Sequence, residues 1–243
     1  MTKVAALASG GLDSAIMLAD LAENSQVYPV YVEAGLVWEQ GEKESLERFL
    51  SALEHPGIEP VTYLSVPVGP LLDSHWSVTG RAVPDAQAPD SEMFIPGRNV
   101  LLIAVTAVWC STHCVGRIAI GSLGGNPFPD ATPEFFESFA SVLSAGLGHE
   151  ISIEAPYRGR KKAELIRGHS GLPLELTLTC ANPPRRAPHS VRKRPAHASH
   201  LASAASARPA LNATSHCGNC NKCTERRDAF QESGVEDRTK YLK

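Results

Sequence analysis

KVAALASGGLDSAIMLADLA, residues 3–22, is the stretch that decides the fold. Its first part, VAALA at residues 4–8, is a short apolar run typical of a buried strand, and two glycines follow almost at once. Residues 13–22 then repeat apolar side chains at helical spacing. A strand, a glycine-rich turn and a helix in this order leave unpaired backbone N–H groups where phosphate oxygens can bind. The stretch therefore predicts a phosphate-binding turn, with a plain structural turn as the alternative.

The side chains of this turn suit a magnesium nucleotide better than a bare phosphate. Gly10 and Gly11 let the backbone approach a ligand closely, and the hydroxyl groups of Ser9 and Ser14 are further donors. The carboxylate of Asp13 would repel a bare phosphate, but its oxygens suit Mg²⁺. The turn matches neither GxxxxGK[ST] nor GxGxxG, which excludes a Walker loop and a dinucleotide fingerprint.

Strand-like and helix-like stretches alternate along most of the remaining chain. Apolar runs that favour strands lie at 27–33, 61–68, 117–122 and 151–156, and LELTLTC at 174–180 reads as one more. Helical spacing is found around 46–53, 100–110, 133–143 and 161–168. The alternation predicts an α/β domain with a doubly wound parallel sheet covered by helices on both faces.

Composition and charge narrow the class of protein. The 243 residues carry a net charge of −3, but residues 183–216 hold six basic residues and no acidic one, so the remainder carries −3 − 6 = −9. An acidic body does not favour a broad nucleic-acid surface. Because no signal peptide and no apolar stretch of membrane-spanning length is found, we expect a soluble cytoplasmic protein.

Two segments stand outside the regular pattern. The connection from 69 to 96 is long for a compact α/β domain, and its His75, Trp76 and Arg81 could belong to a lid over the site. Residues 183–215 are rich in Pro, Ala, Ser, Arg and His without periodicity, and we expect them to be disordered. The predicted division is a main domain at 1–182, this insertion at 183–215, and a carboxy-terminal unit at 216–243.

The cysteines predict a metal site near the carboxy terminus. Cys217, Cys220 and Cys223 form a CxxCxxC motif, whose three thiolates can occupy three corners of a tetrahedral zinc site. Cys180 is the best candidate for the fourth ligand and His216 is its competitor, with His189, His197 and His200 more remote. Cys110 and Cys114 lie at helical i, i+4 spacing, which favours buried core thiols.

Six short motifs together carry a family resemblance. They are SGGLDS at 9–14, PGRN at 96–99, NPFPDATPEFF at 126–136, KAE at 162–164, LTC at 178–180 and CGNCNKCTER at 217–226. SGGLDS alone resembles the loop of the N-type ATP pyrophosphatases, which split ATP between the α and β phosphates. In this order, the six motifs resemble the 7-cyano-7-deazaguanine synthases of queuosine biosynthesis.

The resemblance implies a ligase that joins ammonia to 7-carboxy-7-deazaguanine at the expense of ATP, with Mg²⁺ and Zn²⁺ as metals. It implies ATP binding by residues 8–14, namely Ala8, Ser9, Gly10, Gly11, Leu12, Asp13 and Ser14. It implies catalytic roles for Asp13, Arg98 and Lys162, and substrate binding by Arg98, Asn99 and Asp130. Zinc would be held by Cys180, Cys217, Cys220 and Cys223. No stable nucleic-acid or membrane partner is expected, and a homodimer is left open.

Several of these residues have a simpler alternative role. Arg98 and Asn99 could cap the helix that follows them, and Asp130 could organise its proline-rich turn. Lys162, with Lys161 beside it, could be a solvated lysine.

The chain also departs from the family pattern at three places. EAGLVWEQGE at 33–42 replaces a DYGQRH-like segment, and NPFPDA at 126–131 replaces an SGYPDC-like one, so a different acid or nitrogen donor stays open. In the family about ten residues separate the first zinc cysteine from the knuckle, but here 36 lie between Cys180 and Cys217. Loop-closure cost grows slowly with length, so this interval is tolerable.

Two other functions fit part of the pattern. One is a tRNA-thiolating enzyme that uses the same loop, for which the basic insertion would supply RNA affinity. The other is a zinc-stabilised nucleotide-binding module without catalytic activity.

Overall fold

The computed structural model describes residues 1–184 and 215–242. The disorder expected across 183–215 falls almost wholly outside the described residues, as do the basic residues counted there and the three histidines at 189, 197 and 200. Within the described part, no helix is long and apolar enough to cross a membrane.

The predicted sheet is present, and all of its strands are parallel. Its five strands are β1 (Thr2–Leu7), β2 (Ser25–Glu33), β3 (Thr62–Ser65), β4 (Arg117–Ala119) and β5 (Ser152–Glu154). Their spatial order is β3-β2-β1-β4-β5, and β1 pairs with β2 from Thr2 opposite Ser25 to Leu7 opposite Val30. The chain reverses its direction of travel across the sheet between β1 and β4. Ligands of open α/β sheets bind at the carboxyl ends of the strands beside such a point.

Helices cover both faces of the sheet. They are α1 (Leu12–Ala22), α2 (Glu39–Leu53), α3 (Gly69–Leu72), α4 (Trp76–Thr79), α5 (Arg98–His113), α6 (Pro133–Leu147), α7 (Lys162–Gly168) and α8 (Asn221–Ser233). Alternate side chains of β1 point to opposite faces, as the strand period requires. Val4 and Ala6 pack with α1, α2, α7 and α8, whereas Ala5 and Leu7 pack with α5 and α6. The α/β doubly wound prediction is confirmed.

The start of α6 shows how local sequence sets an element boundary. The hydroxyl of Thr132 accepts the N–H of Phe135 at 3.1 Å, and Pro133 occupies the first helical position, where its missing N–H costs nothing. The helix begins at Pro133, as the sequence predicts.

Two local predictions are wrong. The run at 174–180 is not a strand: Leu174–Leu176 form a 3-10 turn, and the following residues lie outside the sheet. The N–H of Leu178 donates instead to the carbonyl oxygen of Gly10 at 2.8 Å, so this segment crosses the loop after β1. Of the two helical cysteines, Cys110 is buried as expected, but Cys114 is exposed. Cys114 ends α5 in the left-handed region, with φ of 54°, and so leaves the buried helix face.

Candidate functional site

The loop after β1 opens into a cavity of about 1030 Å³ at the carboxyl ends of the strands. Six of the seven residues predicted to bind ATP line it, and Gly10 does not. Gly10 has φ of 68°, and a Cβ there would lie 2.3 Å from the carbonyl oxygen of Glu42. Only glycine therefore lets the loop pack this closely against α2.

Hydrogen bonds among the hydroxyl groups hold the loop in shape. The backbone N–H of Ser9 donates to Oγ of Ser14 at 3.2 Å, and the two Oγ atoms lie 3.1 Å apart. The N–H of Gly11 donates to Oγ of Ser9 at 3.3 Å. The loop is thus a formed turn at the amino end of α1, and the first residues of that helix line the cavity.

On one side of the cavity, which we call the α8 wall, the charged groups are paired. Nζ of Lys162 lies 3.3 Å from Oδ2 of Asp13 and 2.5 Å from Oε1 of Glu225. Nζ of Lys222 lies 2.6 Å from the other oxygen of Glu225. Asp13 and Lys162, each expected from the resemblance to be catalytic, are therefore brought together, with Glu225 as a third member.

Burial and pairing act in opposite directions on these groups. For Asp13, burial outweighs the attraction of Lys162 and raises the pKa of the carboxyl above its ordinary value. For Lys162, burial would lower the pKa, but Asp13 and Glu225 together hold it above its ordinary value. Lys162, with 10% of its side chain exposed, contacts two carboxylates and therefore keeps its charge.

A second set of residues that line the cavity comes from β2, α2 and α5, and we call it the α2 wall. The hydroxyl of Tyr31 donates to Oε2 of Glu42 at 2.8 Å, and Oε1 of Glu39 accepts the N–H of Ala34 at 2.7 Å. Burial raises the pKa of Glu42 to about 7, although the nearby Arg98 and Tyr31 lower it. Nε of Arg98 is buried and makes no hydrogen bond with the residues that the structure describes.

Of the three predicted substrate-binding residues, the structure brings Arg98 and Asn99 to the cavity but not Asp130. Asp130 is buried, and its Oδ2 accepts the backbone N–H of Asn99 at 3.0 Å. The side-chain amide of Asn99 in turn donates to the carbonyl oxygen of Asp130 at 3.0 Å. Together they tie the start of α5 to the turn before α6, which corresponds to the simpler role that the sequence left open.

The connection from 69 to 96 contributes one aromatic side chain, Trp76, to the lining of the cavity. Trp76 lines the cavity and packs against Trp38 with ring centroids 5.5 Å apart. His75 does not line it; its Nδ1 accepts the N–H of Ser77 and caps the short α4. Arg81 is exposed and also lies outside the lining. Of the three residues considered for a lid, only Trp76 faces the site.

Four cysteines form a cluster beside the α8 wall. The sulfur atoms of Cys180, Cys217, Cys220 and Cys223 all lie within 4.8 Å of one another. Nε2 of His216 accepts the N–H of Thr179 at 2.9 Å, and His216 lies outside the cluster. Four sulfurs at such distances fit one tetrahedral metal ion. The structure therefore groups Cys180 with the CxxCxxC motif across the long interval.

Several residues that line the cavity had no role predicted from the sequence. The missed residues are Tyr31, Trp38, Glu39, Glu42, Lys222 and Glu225. A signal existed for the two α2 glutamates, since they follow the carboxyl end of a predicted parallel strand at i, i+3 spacing. Glu225 contacts Lys162, which lies 63 residues away in the chain. No local pattern in the sequence indicates a contact over such an interval.

The family model and the curated relatives agree with one another. A family model described as queuosine biosynthesis protein QueC matches residues 3–234. The chain is 27% identical over 184 residues to the 7-cyano-7-deazaguanine synthase of Methanothermobacter thermautotrophicus, covering 71% of this chain and 82% of that one. It is 29% identical over 194 residues to the enzyme of that name from Nitrosospira multiformis, covering 74% and 81%.

Among solved structures, one match is a predicted subunit of a tRNA methyltransferase from Methanocaldococcus jannaschii. Its TM-score is 0.47 at 14% identity, covering 70% of this chain and 75% of that one. A likeness this weak has no bearing on function.

Proposed function

Since the chain belongs to the queuosine biosynthesis protein QueC family, we propose that it is a ligase that uses ATP to convert 7-carboxy-7-deazaguanine and ammonia to 7-cyano-7-deazaguanine. The observation that carries this function is the family match across residues 3–234. The curated relatives that bear the synthase name support it.

The chemistry requires the carboxylate of the substrate to be activated twice. A carboxylate oxygen is a poor leaving group until AMP is attached to it. The substrate carboxylate attacks the α phosphate of ATP and releases pyrophosphate, and ammonia then displaces AMP to give an amide. The amide oxygen is adenylated in turn and leaves with AMP, so that loss of two protons from the nitrogen completes the nitrile.

We assign the nucleotide to the loop after β1. The N–H groups at the start of α1 and the hydroxyl groups of Ser9 and Ser14 would stabilise the departing pyrophosphate. Asp13 would hold Mg²⁺, since its Oδ1 is buried and makes no hydrogen bond within the described residues. Bound Mg²⁺ would supply positive charge to the phosphates. Lys162 would supply a second, fixed positive charge.

Arg98 is the group that we assign to the acid being activated. Arg98 lines the cavity, and its buried Nε makes no hydrogen bond within 1–184 and 215–242. A guanidinium suits a carboxylate or a phosphate, because its planar donors match two oxygens at once. We propose that Asn99 and Asp130 act indirectly, by holding the start of α5 and with it Arg98.

For the four-cysteine cluster we propose zinc. Thiolates are soft ligands, and a closed set of four without an open position is typical of structural zinc sites. Such a metal would hold α8 against the rest of the domain rather than take part in the chemistry.

A direct assay tests the proposal. The protein is incubated with ATP, Mg²⁺, ammonium and 7-carboxy-7-deazaguanine, and mass spectrometry follows the amide, the nitrile and AMP. Asp13→Ala is expected to abolish substrate-dependent AMP release, because the cation loses its proposed ligand, and to leave the fold intact. Asp20→Asn, on the same helix but outside the cavity, is the matched control and should keep AMP release. Unchanged turnover in Asp13→Ala would contradict the proposed mechanism.

A further inference from the structure

The helix that begins in the cysteine cluster reaches into the nucleotide site. α8 starts immediately after Cys220, and Cys223 lies in its first turn. Glu225, two residues further along, lines the cavity and contacts Lys162. One short piece of chain therefore joins the metal site to the lysine beside the phosphate-binding loop.

Glu225 uses both of its carboxylate oxygens. Oε1 accepts from Nζ of Lys162 at 2.5 Å, and Oε2 accepts from Nζ of Lys222 at 2.6 Å. Lys222 also lies 4.0 Å from Asp90 of the connection over the cavity. Because Lys222 balances the charge of Glu225, the pair can hold Lys162 without adding net negative charge beside the phosphates.

The neighbouring Arg226 fixes Glu225 relative to the loop. Its guanidinium is fully buried and donates to Oγ1 of Thr177, Oγ1 of Thr179 and the carbonyl oxygen of Leu174, at 2.8 to 3.1 Å. Leu178 lies between these two threonines, and its backbone N–H donates to the carbonyl oxygen of Gly10. α8 and the phosphate-binding loop are thus attached to the same stretch of backbone, so Glu225 has a defined place from which to hold Lys162.

We propose that Glu225 is a positioning residue, which holds the long side chain of Lys162 across the phosphate-binding loop before the nucleotide arrives. Lys162 is the first residue of α7, and its side chain has four rotatable bonds that would otherwise be ordered only on binding. Glu225 also shares the lysine with Asp13, which leaves Oδ1 of Asp13 available to a cation. This inference rests on the proposed function, because it assumes that a magnesium nucleotide binds at this loop.

The test measures nucleotide affinity rather than turnover. Titration calorimetry with Mg²⁺ and α,β-methylene-ATP, which cannot be split at the α–β bond, gives the dissociation constant of each variant. Glu225→Gln is expected to weaken binding about tenfold, the order of effect of leaving one long side chain to be ordered. Glu236→Gln is the control, since Glu236 forms an exposed ion pair with Arg238 away from the cavity and should bind as the wild type does.

A double variant separates positioning from a general structural role. If Glu225 acts through Lys162, Glu225→Gln should have no further effect on binding in a Lys162→Met background. Zinc content should be the same in Glu225→Gln as in the wild type, because the four cysteines are unchanged. Equal affinity of wild type and Glu225→Gln, a further loss in the Lys162→Met background, or loss of zinc from Glu225→Gln would each overturn the proposal. If the wild type itself does not bind the analogue, the proposed function fails instead.

Discussion

The two walls of the cavity differ in how their charged side chains are paired. On the α8 wall, Lys162 is enclosed by Asp13 and Glu225, and Glu225 is shared with Lys222. On the α2 wall, the Nε of Arg98 has no hydrogen bond within the described residues, and the carboxyl of Glu42 accepts the hydroxyl of Tyr31 and lies near the charges of Arg98 and Glu39. A buried charge is costly unless it is paired. The two walls therefore differ in how much unpaired charge remains for a ligand to pair.

This difference suggests that the two walls bind different groups, the phosphates on one wall and the acid on the other. The paired α8 wall is preorganised and has little to gain in stability from a ligand, which suits a site for phosphates that must be stabilised as charge develops. On the α2 wall, a ligand oxygen would accept a hydrogen bond from Arg98, which suits recognition of the acid. The comparison predicts that substitutions on the α2 wall change activity and pH dependence more than they reduce stability.

The largest expected effect follows replacement of Arg98. Arg98→Met should lower kcat/KM for the acid at least 100-fold, the order found when one preorganised donor is removed from a developing charge. The free energy of unfolding should change little, because the guanidinium that is removed is incompletely paired. Steady-state kinetics and urea unfolding measure the two quantities.

The control for this prediction is Arg117→Met. Arg117 is paired with Glu154 at 2.8 Å and lies outside the cavity, so the variant should keep its kcat/KM. A loss of several kcal/mol of stability in Arg98→Met, with kcat/KM unchanged, would remove the distinction between the walls.

A smaller effect is expected at Glu42, and it depends on pH. The folded-state pKa of about 7 lies above the ordinary 4.5, so folding favours the neutral carboxyl. Its contribution to stability is therefore present below about pH 4.5 and is lost as pH rises through about 7. Between about pH 4.5 and 7, the wild type should lose about 2 kcal/mol of unfolding free energy relative to Glu42→Gln. This is less than the whole pKa shift of Glu42 would give, because the side chain is partly exposed to solvent.

Urea unfolding at pH 5 and pH 8 checks the prediction for Glu42. The matched control is Glu47→Gln, because Glu47 also accepts a tyrosine hydroxyl, that of Tyr63, but at the surface of α2. Glu47→Gln should follow the pH dependence of the wild type. If Glu42→Gln does so as well, Glu42 is not the titrating group of the α2 wall.

The smallest effect is expected at Asp130, which lies behind the α2 wall. Asp130→Ala removes the acceptor for the N–H of Asn99 and should lower the unfolding free energy by about 1 kcal/mol, as for other helix caps. Asp130→Asn keeps an acceptor oxygen and should be milder. Neither variant should raise the KM for the acid more than twofold to threefold. A tenfold rise in KM for Asp130→Asn would instead support direct substrate binding, as the family resemblance implies.

Prediction from the sequence succeeded where the residues that form a feature follow one another in the chain. The strand, glycine turn and first helix follow one another within residues 3–22, and the start of α6 is marked by Thr132 and Pro133. It failed for residues 174–180, whose apolar alternation resembles a strand, because the N–H of Leu178 is taken by the carbonyl of Gly10 and not by a neighbouring strand. The prediction that Cys114 is buried failed because Cys114 itself adopts the left-handed conformation and ends α5.

The sequence by itself determined the local chemistry: the glycine turn after β1, the alternation that makes a parallel α/β sheet, and three thiolates spaced for a metal. Each of these depends on residues close together in the chain, where backbone geometry sets the distances. Only the tertiary structure decided that Cys180 joins the other three cysteines, that Glu225 holds Lys162, and that Glu42 and Arg98 share a wall. Charge pairing and burial act over a few ångströms through space, and residues far apart in sequence carry no local pattern that reports such distances.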